Sequence, residues 1–159
     1  MGMRVANQPA QRALDHALVV GRGERVLVEN PTYQNALDAI REAGARAVAV
    51  PAQDGWDVGA FATAARQTAP RAAYLQPDFQ NPTGLVMPED DRAAIVAAAR
   101  GVGALVVADE SFVGLFLDGP APAEPPLAAF DPGRVLSVGS LSKRIWGGLR
   151  VGWIRAAPS

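Results

Sequence analysis

Cysteine is absent from the 159 residues, so neither disulfides nor thiolate metal sites are available. His16 is the only histidine, which removes the imidazole clusters that hold most transition metals, and no metal site is expected. A dominant charge is also lacking. The formal net charge is −1, which gives this segment no electrostatic reason to hold nucleic acid. No apolar run approaches the roughly 20 residues that cross a bilayer. The opening stretch from Met1 to Pro9 has no apolar core of a secretory leader. The expectations are no membrane association and a cytoplasmic location. Lysine is nearly missing: among many arginines, Lys143 stands alone.

What is present is apolar. Hydrophobic residues make up 49% of the chain, enough at this length for one domain with a real core. Short apolar runs predict strands at 4–7, 26–28, 47–50, 72–75, 104–108, 135–138 and 151–154. Amphipathic spacing predicts helices over 9–20, 33–42, 58–68 and from 88 to about 101. Pro9 suits a first helical turn, and Gly21 and Gly23 end that helix. The last helix opens on Glu89, Asp90 and Asp91, which complement its dipole, and carries Ile95, Val96 and Ala99 as its apolar stripe. Residues 104–108 are wholly apolar, as a strand covered on both faces must be. Residues 119–126 hold four prolines and read as a loop.

Strands alternating with helices predict a three-layer α/β/α domain with a mostly parallel sheet. Such sheets bind ligands beyond the carboxyl ends of their strands. Three polar stretches fall at such ends: Asn81-Pro82-Thr83-Gly84, Asp109-Glu110, and Ser140-Leu141-Ser142-Lys143.

Lys143 lies between small hydroxyl residues at the end of an apolar run. A lysine in a crowded, partly desolvated pocket loses proton affinity and becomes a usable amine nucleophile. Ser140, Ser142 and Arg150 beside it suit a phosphate dianion. A carbonyl cofactor with a phosphate handle, held as a Schiff base on Lys143, fits this set, and pyridoxal 5'-phosphate is such a molecule. Asp109 can pair with a protonated ring nitrogen, Asn81 can donate to a ring oxygen, and Tyr33 can stack on a flat ring. Each has a plainer role open to it. Lys143 and Arg150 can be surface cations, Asp109 can cap the segment after it, Asn81 can make the turn before Pro82, and Tyr33 can edge the core.

The order and spacing of Asn81-Pro82-Thr83-Gly84, Asp109, Ser140-Leu141-Ser142-Lys143 and Arg150 resemble the class I/II aminotransferase family of fold type I pyridoxal-phosphate proteins. The resemblance runs from about Pro9 to Trp153. It implies amino-group transfer between an amino acid and a 2-oxo acid, with Lys143 as Schiff-base lysine and proton shuttle. It implies Asp109 on the pyridine nitrogen, Asn81 on the ring oxygen, Tyr33 stacked on the ring, and Ser140, Ser142 and Arg150 on the phosphate. Ala10 and Gln11 match the family's other phosphate loop, where helix N-terminal amides assist.

The chain departs from the pattern at two sites. Phe112 stands where the family carries a tyrosine whose hydroxyl meets the ring oxygen. Pro9 stands where its phosphate loop has glycine, which removes an amide donor. By the same resemblance, residues 1–159 are the large cofactor-binding domain cut on both sides, without the N-terminal segment and the C-terminal small domain. A homodimer is implied for the full-length protein, and a chain so cut is expected not to transaminate alone. Asp78-Phe79-Gln80-Asn81-Pro82-Thr83-Gly84, Leu117-Asp118-Gly119 before the proline-rich loop, and Gly139-Ser140-Leu141-Ser142-Lys143 with Trp146-Gly147-Gly148-Leu149-Arg150 are most similar to the aminotransferase-like domains of MocR-type GntR-family regulators. That similarity implies a ligand-sensing alternative, with DNA bound only through a winged helix that this segment lacks. An inactive truncated fragment is the third reading.

Overall fold

Residues 20–115, 123–143, 145–149 and 151–157 are described by a computed structural model. Six strands form one sheet: β1 (Arg25–Asn30), β2 (Arg46–Pro51), β3 (Ala72–Leu75), β4 (Leu105–Asp109), β5 (Val135–Ser140) and β6 (Gly152–Arg155). Their spatial order is β2-β1-β3-β4-β5-β6. All neighbouring pairs run parallel except β5 and β6, which run antiparallel. The predicted strands and helices within the described residues form with small shifts at their ends. The strand at 4–7 and the helix at 9–20, save its last residue, lie outside the described residues, as do Pro9, Ala10, Gln11 and Arg150.

The helices α1 (Gln34–Glu42), α2 (Val58–Thr68) and α3 (Glu89–Gly101) connect the parallel strands. Alternation along each strand divides the core into two layers. Leu27, Ala73, Leu75, Val106 and Ala108 face α2 and α3, and pack on Phe61, Ile95 and Val96. Val26, Val28, Tyr74, Val107 and Val138 face the other way, onto Ala36, Ala39 and Ile40 of α1. Helix α2 begins where the Asp57 carboxylate accepts from the Ala60 amide at 2.8 Å, an N-cap that satisfies one free donor of the first turn.

A close approach fixes one glycine. Gly139 on β5 pairs with Trp153 on β6, and the indole lies against it so closely that any β-carbon there would come within 2.4 Å of the ring. The antiparallel edge strand thus packs a tryptophan directly on the strand that leads to Lys143.

The chain moves from β1 to β2 on one side, then returns to place β3 on the other side of β1. The topological switch therefore falls between β1 and β3, where an open α/β sheet forms its crevice. No helix among the described residues is long and apolar enough to cross a membrane.

Candidate functional site

The carboxyl ends of β1, β3, β4 and β5 are consecutive along the sheet. They carry in turn Thr32-Tyr33, the 76–84 loop, Asp109, and Ser140 to Lys143. Chain topology thus brings Tyr33, Asn81, Asp109, Ser140, Ser142 and Lys143 to one end of one sheet.

Asp109 is 1% exposed, and no cation pairs with it among the described residues. Its Oδ1 accepts from the Ser111 amide at 2.9 Å and its Oδ2 from the Tyr74 hydroxyl at 2.7 Å. The contact with Ser111 is the turn-making role open to any aspartate. It does not exhaust the carboxylate, which has about four acceptor positions. An isolated buried carboxylate is costly, so a further donor or a cation at this point is stabilising.

The loop that presents Asn81 is held from within and from below. Gln76 Oε1 accepts from the Asn81 amide at 3.3 Å. Gln80 Oε1 accepts from the Thr83 amide at 3.0 Å and from the Thr83 hydroxyl at 2.7 Å. Gly84 turns the chain at φ 75°, a conformation open to glycine at little cost. Phe79 adopts φ 51°, which for a residue with a side chain costs on the order of 1 kcal/mol and persists only where its surroundings impose it.

Arg92 imposes them. It is fully buried, and its guanidinium donates to the Met87, Pro77 and Pro125 carbonyls and to both oxygens of Asp78. This cation ties the start of the loop, at Pro77, to the chain that leaves it, at Met87.

Glu29, at the end of β1 and on the opposite face from Asp109, is 2% exposed. It accepts from Trp56 Nε1 at 2.7 Å, the Gln76 amide at 3.1 Å and Gln80 Nε2 at 3.3 Å. Burial pushes its carboxyl up to about 7, and these donors offset only part of that cost. Glu110 is also raised by burial, against the Ser137 hydroxyl and Arg155 that hold it.

Lys143 is exposed, and its Nζ lies 5.5 Å from the centre of the Phe112 ring. The crowded pocket expected from the sequence is therefore not formed by the described residues, and Phe112 is the neighbour that reaches the amine. Phe112 presents a ring and no hydroxyl there. Ser140 is buried and its hydroxyl accepts from the Ser142 amide at 3.2 Å. Tyr33 is half-buried at the N-cap of α1, its hydroxyl accepting from Asn35 at 2.7 Å.

Three buried hydroxyls, Thr32 Oγ1, Ser111 Oγ and Ser142 Oγ, have no hydrogen-bond partner among the described residues. Each is next to or close along the chain to a candidate: Tyr33, Asp109 and Lys143. An unmet buried hydroxyl costs about 1–3 kcal/mol. Three at the same end of the sheet mark a place for a polar ligand. With an unpaired carboxylate, an amine and an aromatic ring, they fit a phosphorylated, aldehyde-bearing pyridine.

Glu29, Tyr74, Gln80 and Arg92 do not stand out in the sequence reading. Two left a signal. Glu29 ends an apolar run just before Asn30-Pro31, as Asp109 ends its own strand. Arg92 precedes Ile95 by three positions and Val96 by four, which places it on the buried stripe of α3.

The family Aminotransferase class I and II matches residues 8–159. The chain is 36% identical over 155 residues to 2-aminoadipate transaminase of Thermus thermophilus, covering 94% of this chain and 39% of that protein. It is 32% identical over 135 residues to the uncharacterized HTH-type transcriptional regulator YisV of Bacillus subtilis, covering 84% of this chain and 28% of that protein. Among solved structures it resembles LysN, the alpha-aminoadipate aminotransferase of Thermus thermophilus complexed with N-(5'-phosphopyridoxyl)-L-leucine. The TM-score there is 0.87 at 32% identity, over 98% of this chain and 41% of that one. The chain spans well under half the length of each of these relatives.

Proposed function

This chain belongs to the class I and II aminotransferase family, and from that membership we propose that residues 1–159 form the cofactor-binding large domain of a protein that transfers an amino group between an amino acid and a 2-oxo acid. Pyridoxal phosphate, the family's cofactor, supplies a carbonyl carbon for amines and a ring that withdraws electrons. The chain's residues bind and orient it. Asp109 accepts the ring N–H and keeps that nitrogen protonated. Asn81 donates to the ring oxygen, and Tyr33 covers one ring face. Ser140, Ser142, Arg150 and the backbone of Ala10 and Gln11 hold the phosphate. The Lys143 amine would be the nucleophile toward the cofactor's carbonyl carbon and would carry the proton to and from the substrate α-carbon.

The observation that carries this reading is Asp109: a carboxylate 1% exposed, held by two neutral donors and without a cation among the described residues. A protonated ring nitrogen is the partner that relieves its burial. The test is covalent. The chain is incubated with pyridoxal phosphate, reduced with borohydride and digested. The label is expected on Lys143 and is expected to vanish in Lys143→Ala. A label elsewhere, or none, overturns the assignment.

The ring of Phe112 gives a second expectation. Phe112→Tyr places a hydroxyl beside Lys143, where the family pattern has one. It is expected to tighten pyridoxal phosphate binding by about 1 kcal/mol, roughly five-fold, read as a dissociation constant. An unchanged constant places the ring oxygen out of reach of this position.

Ile145 and Trp146, 70% and 68% exposed beside Lys143, offer apolar surface to a second copy, in keeping with a homodimer. The similarity to YisV over 84% of the chain supports a second reading, in which the same site senses pyridoxal phosphate or an amino-acid adduct for a transcription regulator. Turnover of an amino donor by the full-length protein favours the first reading. Ligand-dependent DNA binding without turnover favours the second.

A further inference from the structure

Tyr74 lies in the middle of the sheet, on β3, with no exposed surface. It pairs in register with Val107 on β4, so it and Asp109, two residues beyond Val107, face the same side. Its hydroxyl crosses to the neighbouring strand and donates to Asp109 Oδ2 at 2.7 Å. Burial, and then the charge of Asp109, push the phenol well above its usual range, so it remains a donor at any working pH.

The second carboxylate oxygen is fixed by the Ser111 amide at 2.9 Å. One donor therefore comes from the turn after β4 and the other from the strand beside it. Together they fix the plane and rotamer of a carboxylate that no cation among the described residues holds. Each oxygen keeps a lone pair for a third donor.

We infer that Tyr74 is a positioning residue: its hydroxyl orients the Asp109 carboxylate so that a free lone pair meets the protonated ring nitrogen of the cofactor. This rests on the proposed role of Asp109. Tyr74 touches neither the cofactor nor the substrate and acts only through that carboxylate. Geometry makes the effect specific to the ring nitrogen. Loss of the hydroxyl leaves the aromatic packing of Tyr74 on Val28 and Val107 in place, and removes only the contact with Asp109.

The test compares two probes in the full chain: pyridoxal phosphate, and its 1-deaza analogue, in which a C–H replaces the ring nitrogen. Binding is read by equilibrium dialysis for the wild-type chain and for Tyr74→Phe. Tyr74→Phe is expected to bind pyridoxal phosphate about five-fold more weakly, the size of one ordinary hydrogen bond, because the hydroxyl acts on the ring nitrogen only through the carboxylate. It is expected to bind the deaza analogue as the wild type does, because that probe has no N–H for Asp109 to receive. Equal weakening for both probes makes Tyr74 a packing residue and overturns the inference. No weakening for either overturns it as well. If the wild-type chain itself does not distinguish the two probes, the role of Asp109 falls, and the inference falls with it. Melting curves of the wild type and of Tyr74→Phe accompany the binding data, and a structural defect would lower affinity for the two probes alike.

Discussion

Arg92→Met is expected to destabilise the chain by about 3–5 kcal/mol, measured as a shift in the midpoint of urea unfolding. The methionine has nearly the length of the arginine but no donor. Five N–H groups of Arg92 currently meet Asp78 and the carbonyls of Pro77, Met87 and Pro125. Removing them leaves the Asp78 carboxylate, whose side chain is 11% exposed, without its cation. It also takes a donor from three carbonyls, of which that of Pro77 still accepts from the Met87 amide. Breaking a buried pair from one side is costly because the other charge stays behind. The same change loosens the start of the Asn81 loop, where Phe79 is held at φ 51°. Weaker pyridoxal phosphate binding is therefore expected alongside the lower stability. Arg92→Lys keeps the charge but lacks the planar fork, and it is expected to recover only part of the loss. A Met variant that unfolds at the wild-type midpoint would show that the network contributes nothing.

Stability is also expected to fall as pH rises from about 4.5 to about 7, through Glu29. Its unfolded carboxyl titrates near 4.5 and its folded one near 7, because burial disfavours the charged form. Between those values the folded state binds the extra proton, so folding is favoured at the acid end. That advantage is fully present below pH 4.5 and is lost as pH passes 7. The interval is worth about 3 kcal/mol at 1.36 kcal/mol per pH unit. Glu110, raised in the same direction, adds to the slope. Urea midpoints at pH 5, 6, 7 and 8 measure it. Glu29→Gln cannot titrate and retains a carbonyl for Trp56 and the Gln76 amide, so its curve is expected to be flatter than the wild type by roughly that amount. Parallel curves for the two proteins would place the titration elsewhere. The Asn81 loop feels the same charge, since Glu29 accepts from both Gln76 and Gln80.

Lys143 and Asp109 were legible because each breaks an apolar run at the end of a strand, a signal carried by a few adjacent residues. The strands and helices within the described residues were legible for the same reason: their periodicity is local. Tyr74 was not. On a strand it reads as one more apolar residue, and its partner Asp109 is 35 residues away. Glu29 and Gln80 are 51 residues apart, and nothing near either names the other. Phe112 was singled out by motif, but only the folded chain puts its ring beside the Lys143 amine.

The sequence by itself determined the α/β alternation, the mostly parallel sheet, and the strand ends that carry Asn81, Asp109 and Lys143. Those follow from apolar period, turn residues and strand length, which act over neighbouring positions. Tertiary structure alone decided the partners of the buried polar groups. It set Tyr74 and Ser111 on Asp109, Asp78 on Arg92, and, among the described residues, three donors but no cation on Glu29. It also left the hydroxyls of Thr32, Ser111 and Ser142 without a partner among the described residues. The reason is physical. Burying a polar group is decided by whichever strand or helix packs against it, and that neighbour is chosen by the whole sheet rather than by the residue's place in the chain.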